Sequence, residues 1–316
     1  MRLNSNTRVL ILGATGLVGY AFNQFLESQN FSNVYAVGSS EIDLSDYSST
    51  DSLISSFKPE LVLLAAGRVG GIAYNTNNAL EILTVNTRIQ LNVIESSLRL
   101  QVPNLVTFGS TSMYPELVSQ PMAESSIGSG SIQDNLKPFG ISKLLSLEYL
   151  RNINKGDFYN YRMVIAANLF GANDNFHFEN SHALQGIMSK IELAKLKNDP
   201  TVTLWGDGTP LRELLHVNDL VSATLCIIES EKEEFVFNVG SGEELRIADI
   251  AYLIKELMDY PGGITWGSAE ANSVPRRLLD SSKVRSLGWK TESSLVEALS
   301  SYIVAFAEGT LKRRSC

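Results

Sequence analysis

The chain has 316 residues, 44% of them hydrophobic and 19% charged, and its formal net charge is -8. This composition excludes a disordered or collagen-like chain, and the acidic balance argues against a dedicated nucleic-acid binder, which usually has a basic face. The apolar runs are too short for a transmembrane helix, and no signal-peptide core follows Met1. The two Cys do not predict a disulfide framework, and the three His are too scattered to predict a metal centre. We therefore expect a cytoplasmic protein without a metal.

Short apolar runs alternate with amphipathic segments through the first half of the chain. In chain order, the patterns predict strands at Val9–Leu12, Val34–Val37, 61–65, 105–108 and 161–166, and helices at 17–26, 51–57, 78–100 and 142–153. Beyond them the pattern predicts a loop at 170–182, helices at 182–196 and 219–229, and a strand and turn at 200–210. Alternating strands and helices indicate a parallel sheet with right-handed crossovers.

The predicted fold class is therefore α/β. It is a Rossmann-type, doubly wound parallel sheet of about seven strands by analogy with that fold, with a smaller C-terminal substrate-binding lobe. We assign residues 1–168 to the dinucleotide-binding domain, with a returning segment at about 213–240. Residues 169–212 and 241–316 are assigned to the substrate-binding lobe.

A glycine-rich motif stands between the first strand and the first helix. It has the sequence Gly13-Ala14-Thr15-Gly16-Leu17-Val18-Gly19. Small residues here let the backbone approach a pyrophosphate, and the helix N-terminus offers N–H donors and a positive dipole. The motif predicts a dinucleotide cofactor.

The residues after the second strand bear on whether the cofactor is NADP(H) or NAD(H). An acidic residue there selects NAD, and an Arg accommodates the 2′-phosphate of NADP. Ser39 and Ser40 suit a phosphate, whereas Glu41 lies too far along to follow the NAD rule. Asp43 and Leu44 are candidates for the adenine pocket, with a simple helix-entry role for Asp43 as the alternative.

Several further stretches make the chain resemble the extended short-chain dehydrogenase/reductase family, and within it the GDP-L-fucose synthases. They run in order along nearly the whole chain: residues 65–72, 109–115, 168–171, 174–177, 180–182, 205–210, 212–213, 216–220 and 278–280. The resemblance implies an NAD(P)-dependent sugar-nucleotide oxidoreductase that acts on a GDP-linked 4-keto sugar, with NADPH favoured over NADH.

The family's reductive triad is a Ser, a Tyr and a Lys. In this chain Ser110 matches the Ser and Lys143 the Lys, but Phe139 stands where the proton-donating Tyr would be. Phenylalanine cannot donate a proton. The sequence leaves two interpretations open, a natural protein that obtains its proton elsewhere and a Tyr-to-Phe change made to trap a complex.

The epimerisation pair of the family is a Cys and a His. His182 matches the His, but Ser112 replaces the Cys, and an unassisted hydroxyl is a far poorer base than a thiol. The resemblance implies further cofactor contacts at Ala65, Ala66, Gly67, Ala166, Asn168 and Leu169, besides Lys143 and His182. It implies substrate contacts at Ser110, Thr111, Asn168, Lys190, Trp205, Arg212 and Arg277, although Lys190 has solvation as an equal alternative and Arg276 competes with Arg277.

The function predicted from these matches is reduction at C4 of a GDP-linked 4-keto sugar without efficient epimerisation. One alternative is a complete GDP-L-fucose synthase activity that carries a Phe139 trap, and another is a catalytically weak nucleotide-sugar binder. The sequence does not decide between a hexose and a heptose. Relatives pair through two long helices, so the resemblance also implies a homodimer built on residues 78–100 and 142–153.

Overall fold

A parallel sheet forms the centre of the first lobe in the computed structural model, which describes residues 1–156, 158–177, 181–231, 234–268 and 274–314. Its strands are β1 (Val9–Leu12), β2 (Val34–Val37), β3 (Leu61–Leu64), β4 (Asn104–Ser110), β5 (Asn160–Ala166) and β9 (Val236–Val239). Their order is β2-β1-β3-β4-β5-β9, and every pair is parallel. The predicted fold class is confirmed, with six strands in the described chain where about seven were expected.

The sheet is sandwiched between helices, which explains its apolar strands. All residues of β1 and β3 are buried, as expected of strands covered on both faces. The flanking helices are α1 (Leu17–Ser28), α2 (Tyr47–Phe57), α3 (Ile72–Asn77), α4 (Ala79–Arg99), α5 (Lys137–Ile153) and α7 (Val217–Glu229). Helices α2, α4 and α5 pack side by side in one layer, and α1 packs against α7 in another.

Three helices, α2, α5 and α7, begin earlier than the sequence pattern predicted, and α7 does so by only two residues. Helix α2 starts at Tyr47 because the Asp46 side chain caps it by accepting the Ser49 N–H at 2.7 Å. Helix α5 starts at Lys137, five residues before the expected start, because Pro138 fits the first turn, where its missing N–H costs no hydrogen bond.

The described elements outside the main sheet and its helices, called the second lobe below, are two small sheets and four helices. The strands are β6 (Asn168–Phe170), β7 (Thr201–Leu204), β8 (Leu211–His216), β10 (Glu244–Arg246), β11 (Gly263–Trp266) and β12 (Arg276–Arg277). The helices are α6 (Ala183–Lys197), α8 (Ile247–Leu257), α9 (Ser282–Arg285) and α10 (Leu295–Ala307). Strand β8 pairs with β6, β10 and β12, and β7 pairs with β11. The predicted loop at 170–182 therefore begins inside a strand.

Two clusters of buried side chains make up the hydrophobic core. One fills the space around the six-stranded sheet, and the other lies among α6, α8 and α10. Val284 and Trp289, from the predicted substrate lobe, pack in the first cluster. The division into two domains stays a prediction. Asn180, the first residue of the matched stretch 180–182, lies outside the described residues, and so does Cys316, one of the two cysteines. No described helix has the length and hydropathy to cross a bilayer.

Candidate active site

The glycine-rich motif forms a tight turn from β1 into α1. Gly13 has φ +96°, and a Cβ added to it would lie 2.6 Å from the Ala66 backbone nitrogen. A Cβ on Gly19 would lie 2.2 Å from the Gly13 carbonyl oxygen. No described side chain caps the α1 N-terminus at Gly16. The first N–H groups of α1 are thus available to an anion, so the turn fits the pyrophosphate of a dinucleotide.

The loop after β2 is closed by an acidic side chain. Glu41 Oε2 accepts the Gly38 N–H at 2.7 Å, so this carboxylate folds back on its own loop. Ser39 is exposed beside it. Asp43 accepts hydrogen bonds from the Ser45 N–H and hydroxyl, which lower its pKa, and it is not the cap of α2.

Leu44 differs from its neighbours in this loop because its side chain is buried in the core. Its carbonyl oxygen accepts hydrogen bonds from the side chains of Thr50 and Asn92. The exposed residues Ser39 and Asp43 can offer polar side chains to a cofactor, and the contact of Leu44 with an adenine stays a prediction.

Other predicted cofactor contacts lie where strands of the main sheet end. Ala65 and Ala66 follow β3 and are half-buried, whereas Gly67 is exposed. Ala166 ends β5, in register with Ser110 at the end of β4. Asn168 donates from Nδ2 to the Glu213 carbonyl oxygen, and Leu169 is half-buried against the core. The carboxyl ends of parallel strands are the usual ligand edge of such a sheet.

A 3₁₀ turn at Thr111–Met113 presents the predicted serines. Ser110 Oγ accepts the Ser112 N–H at 3.2 Å, so its own proton remains available to a substrate oxygen. Ser112 is buried, and its Oγ has no hydrogen-bond partner among the described residues. The geometry fits Ser110 as a donor and gives Ser112 no base that would activate it.

Helix α5 brings Phe139 and Lys143 to this turn. A Cβ on Gly140 would lie 2.4 Å from the Ser112 carbonyl oxygen, so α5 packs directly on the turn. The Lys143 side chain is 4% exposed, and its Nζ lies 5.7 Å from the centre of the half-buried Phe139 ring. Burial lowers the pKa of Lys143 to about 8. A buried cation held beside this turn is typical of a functional group rather than of a core residue.

The predicted histidine stands at a helix start. His182 is the N-cap residue of α6 and is exposed. One turn further on, Gln185 donates from Nε2 to Asp174 Oδ2 at 2.5 Å, which ties this end of α6 to the loop after β6. The structure thus orients the helix that begins at His182, whose role in the reaction stays a prediction.

Two arginines lie side by side on the second lobe. Arg212 of β8 is in register with Arg277 of β12. Burial, and next the neighbouring cation of Arg277, lowers the pKa of Arg212 to about 10. Burial also lowers the pKa of Arg277. Arg276 instead pairs with Glu244 at the surface, so of the two adjacent arginines Arg277 faces inward. A half-buried cation, Arg212, beside a buried one, Arg277, fits a diphosphate.

Arg277 also joins the two lobes. Its Nη1 donates to the Thr111 carbonyl oxygen at 2.9 Å, while Nη2 has no partner among the described residues. The buried Glu213 holds the strand of Arg277 in place by accepting the N–H groups of Leu279 and Gly242. Burial raises the pKa of Glu213 to about 7. These contacts bring the arginine pair to the turn that carries Ser110.

The remaining predicted substrate residues form a separate pair. Lys190 Nζ lies 5.2 Å from the centre of the Trp205 ring and donates to the Thr203 carbonyl oxygen. Trp205 is 64% exposed. It follows β7, which belongs to the two-stranded sheet and not to the sheet of Arg212 and Arg277. An exposed indole under a cation offers a stacking surface.

His216, also in a matched motif, has a structural role. It is the N-cap residue of α7, and its Nδ1 accepts the Asn218 N–H at 3.3 Å. Its ring packs edge-on against Phe170.

Sequence reasoning missed three contacts that shape the site. They are the Glu41 closure of the β2 loop, the Arg277 bond to Thr111, and a bond from Asn173 Nδ2 to the Thr15 carbonyl oxygen. Two of them end on backbone oxygens of residues more than a hundred positions away, and no sequence pattern marks such a pair. The Glu41 contact, which spans three residues, is of the kind that turn chemistry suggests.

The comparisons with known proteins agree with this geometry. The model of the NAD dependent epimerase/dehydratase family matches residues 9–240. The chain is 35% identical over 312 residues to the putative GDP-L-fucose synthase 2 of Arabidopsis thaliana, covering 99% of this chain and 95% of that one.

Two solved structures from Campylobacter jejuni, each 26% identical, have nearly the same fold. One is a GDP-6-OMe-4-keto-L-xylo-heptose reductase, with a TM-score of 0.89 and coverage of 98% of this chain and 99% of that one. The other is a GDP-mannoheptose C4 reductase with NADP bound, with a TM-score of 0.87 and coverage of 98% and 100%. The chain therefore belongs to the NAD-dependent epimerase/dehydratase family, as an extended short-chain dehydrogenase/reductase related to the GDP-L-fucose synthases and an NAD(P)-dependent enzyme of the epimerase/reductase type.

Proposed function

We propose that this protein reduces the C4 carbonyl of a GDP-linked 4-keto sugar with NADPH and does not efficiently epimerise C3 and C5. The observation that carries the proposal is the turn of Ser110, with the buried Lys143 beside it and Ser112 in place of a thiol. The names of the similar proteins, which include GDP-sugar reductases, support the substrate class.

The bound cofactor supplies hydride, and the protein's side chains orient the substrate and handle charge. The Ser110 oxygen accepts the Ser112 N–H, which orients the hydroxyl, and its proton donates to the C4 oxygen. Lys143 holds the nicotinamide ribose, and its positive charge stabilises the oxygen that becomes negative as hydride arrives. Phe139 gives no proton, so this oxygen takes one from a neighbouring hydroxyl or from water.

Weak epimerisation follows from the chemistry of position 112. Removal of a proton from C3 or C5 needs a base, and the Ser112 hydroxyl has no described partner that would deprotonate it. A Cys thiol has a pKa near 8.5, whereas an unassisted hydroxyl ionises far less readily. Reduction at C4 has no such requirement, so it remains available when the thiol is absent.

The preference for NADPH rests on the loop after β2. Glu41 is turned back onto the Gly38 N–H, so its carboxylate does not extend toward an adenosine ribose as the acidic residue of an NAD site does. The exposed Ser39 leaves hydroxyl and backbone donors for a 2′-phosphate. Measured dissociation constants for NADPH and NADH test this part directly, and tighter binding of NADH would contradict it.

The test of the activity uses GDP-linked 4-keto sugars of hexose and heptose type, each with NADPH or NADH. We expect loss of the reduced-nicotinamide absorbance with at least one of them. In D₂O the product should carry no solvent deuterium at C3 or C5, because epimerisation requires proton exchange there.

Each other outcome of this experiment contradicts part of the proposal. Deuterium at C3 and C5 together with turnover would show a complete epimerase-reductase. Binding without oxidation of the cofactor would show a nucleotide-sugar binder. A Ser112→Cys variant is the matched control, since it restores the thiol without altering the residues assigned to reduction.

A further inference from the structure

We propose that Asn173, held by residues 312–314, is a positioning residue for the cofactor: it fixes the Thr15–Gly16 peptide of the glycine-rich turn so that the helix entrance stays open to a phosphate. This inference rests on the proposed binding of NADPH. It adds a residue outside the glycine-rich motif, from a loop of the second lobe, to the parts of the protein that shape the phosphate site.

Asn173 is placed for this task by its backbone and its burial. It is 7% exposed and has φ +67°, a left-handed conformation that Asn adopts more readily than most residues. Its Nδ2 donates to the Thr15 carbonyl oxygen at 3.0 Å, and its backbone N–H donates to the Lys312 carbonyl oxygen at 2.7 Å. Asn173 is therefore held at two points: its side chain bonds the glycine-rich turn, and its backbone bonds the C-terminal segment.

The bond to Thr15 controls the orientation of a whole peptide unit. In a trans peptide the C=O and the following N–H point in opposite directions. The Gly16 N–H donates to the Gly13 carbonyl oxygen at 3.1 Å, and the Thr15 carbonyl at the other side of the same unit meets Asn173. Both ends of the unit are thus fixed. If the unit rotated, a carbonyl oxygen could turn toward the phosphate and repel it.

Residues 312–314, which we call the strap, anchor Asn173 from behind. The Arg314 N–H donates to the Asp174 carbonyl oxygen at 3.1 Å. The Arg313 guanidinium makes two bonds to Glu192 of α6 and lies 3.8 Å from the centre of the Phe306 ring. Lys312 Nζ lies 4.1 Å from the centre of the Tyr20 ring, on the helix that follows the glycine-rich turn. The strap thereby joins α1 to α6 and α10.

The same loop also reaches the other side of the site. Asp174, next to Asn173, accepts the Gln185 amide in the first turn of α6, and His182 begins that helix. Asn173 and Asp174, two adjacent residues, thus bond to the glycine-rich turn and to the helix that starts at His182. A change at Asn173 should act on cofactor binding first, because its side chain contacts only the Thr15 side of this arrangement in the bonds described.

The test compares Asn173→Gly with Asn198→Gly. Glycine keeps the left-handed backbone and removes the amide. Asn198 is an exposed left-handed residue at the end of α6, so the control makes the same change away from the site. We expect Asn173→Gly to raise the NADPH dissociation constant about 3- to 10-fold, the loss of one hydrogen bond, and the control to leave it unchanged.

Further measurements separate positioning from general damage. With saturating NADPH, the KM for the sugar nucleotide should match that of the parent. Asn173→Asp should weaken NADPH more than Asn173→Gly, because a carboxylate would face the Thr15 carbonyl and add negative charge near the phosphates. Arg313→Ala, which frees the strap, should weaken NADPH binding in the same direction.

The experiment distinguishes failure of the proposed function from failure of the positioning role alone. If the parent binds neither NADPH nor NADH, the proposed function fails. If the parent binds NADPH and Asn173→Gly binds it equally well, only the positioning role is overturned. Equal losses in Asn173→Gly and Asn198→Gly would also overturn it, since the effect would then come from the glycine and not from the lost bond.

Discussion

Lys143 is a buried cation, and no described residue is an anionic partner that would offset the cost of its burial. Desolvation is the cause of its lowered pKa, about 8 instead of 10.5. A lysine whose folded pKa is depressed stabilises the fold fully only above its unfolded pKa, and that stability is lost as the pH falls through the folded value. Below pH 8 the charged Lys143 therefore lowers the free energy of unfolding, whereas a neutral residue of similar size at this position would not.

We expect Lys143→Met to make the cofactor-free protein more stable and inactive. At pH 7 the gain in the free energy of unfolding should be about 1–3 kcal/mol, and it should shrink between pH 8 and pH 10.5 as the parent lysine loses its proton. Urea unfolding at pH 7 and at pH 10 measures this. NADPH should stabilise the parent and not the variant. A less stable variant at pH 7 would contradict the argument.

Because Phe139 has no hydroxyl, we expect slow transfer of the proton to the substrate oxygen. Its ring already lies beside Lys143, so the hydroxyl of Phe139→Tyr would meet a cation that favours its ionised form. General acid catalysis contributes about 10²–10⁴-fold, and we expect kcat to rise within that range. A parent that turns over at ordinary reductase rates and is insensitive to Phe139→Tyr would show instead that another group, such as Ser110, Thr111, Ser112 or a water held by Lys143, donates the proton.

A variant of Arg212 tests the proposed diphosphate site. A charge-assisted hydrogen bond to phosphate is worth about 1.5–3 kcal/mol, so Arg212→Ala should raise the KM for the sugar nucleotide about 10- to 100-fold. Arg276→Ala is the control, because this neighbour is paired with Glu244 at the surface. GDP affinity that is the same in Arg212→Ala and the parent would make Arg212 merely structural.

In the glycine-rich turn, one glycine is needed for the chain to fold and another is needed for the cofactor to bind. At Gly16 the φ is -90°, and an added Cβ would lie 3.5 Å from the Gly13 oxygen, an ordinary contact. At Gly19 the same atom would lie 2.2 Å away, which no side chain can accommodate. The two glycines of one motif thus serve different purposes.

We expect Gly16→Val to fold and to lose cofactor, and Gly19→Val to lose the fold. The valine at position 16 would occupy the space through which a phosphate approaches the helix, so NADPH affinity should fall at least about tenfold. Circular dichroism and NADPH titration of both variants measure this. Unchanged NADPH affinity in Gly16→Val would remove the turn from the cofactor site.

Sequence patterns located the elements of the first lobe better than those of the second. The buried strands β1 and β3 are continuous apolar runs, which have few alternatives. Strand β12 is the dipeptide Arg276–Arg277, and β6 has three residues, so neither carries a periodic signal. The sequence motifs indicated which residues to consider for the site. They could not indicate the role of Asn173, because it depends on a backbone hydrogen bond to Lys312 that exists only in the folded chain.

On the scale of the whole molecule, a second copy of the chain is expected to cover α4 and α5. Leu80 is 77% exposed and Ile141 41% exposed, and both belong to the α4–α5 layer. Leu147 and Leu150 belong to the segment 142–153 that was predicted to form this interface, but they are buried in the core of the single chain. The proposed dimer surface is therefore smaller than the whole segment implied.

We expect the parent to sediment as a dimer at micromolar concentration and Ile141→Glu to sediment as a monomer with NADPH affinity retained. Burying an unpaired carboxylate in an interface is costly, which gives the variant its effect. Leu196→Glu, which puts the same carboxylate on an exposed apolar residue of α6 outside this layer, serves as the control. A monomeric parent would count decisively against the dimer.

The place of β9 at the edge of the main sheet has a consequence for how the protein is made. Strand β5 pairs with β4 on one side and with β9 on the other, but β9 is reached only after residues 168–235, much of the second lobe, have been synthesised. Until then only five strands of this sheet are available, so we expect the free edge of β5 to be open to wrong pairing. Nascent chains arrested before Val236 should be cleaved readily by protease near β5, and chains in which Val239 has left the ribosome should be protected.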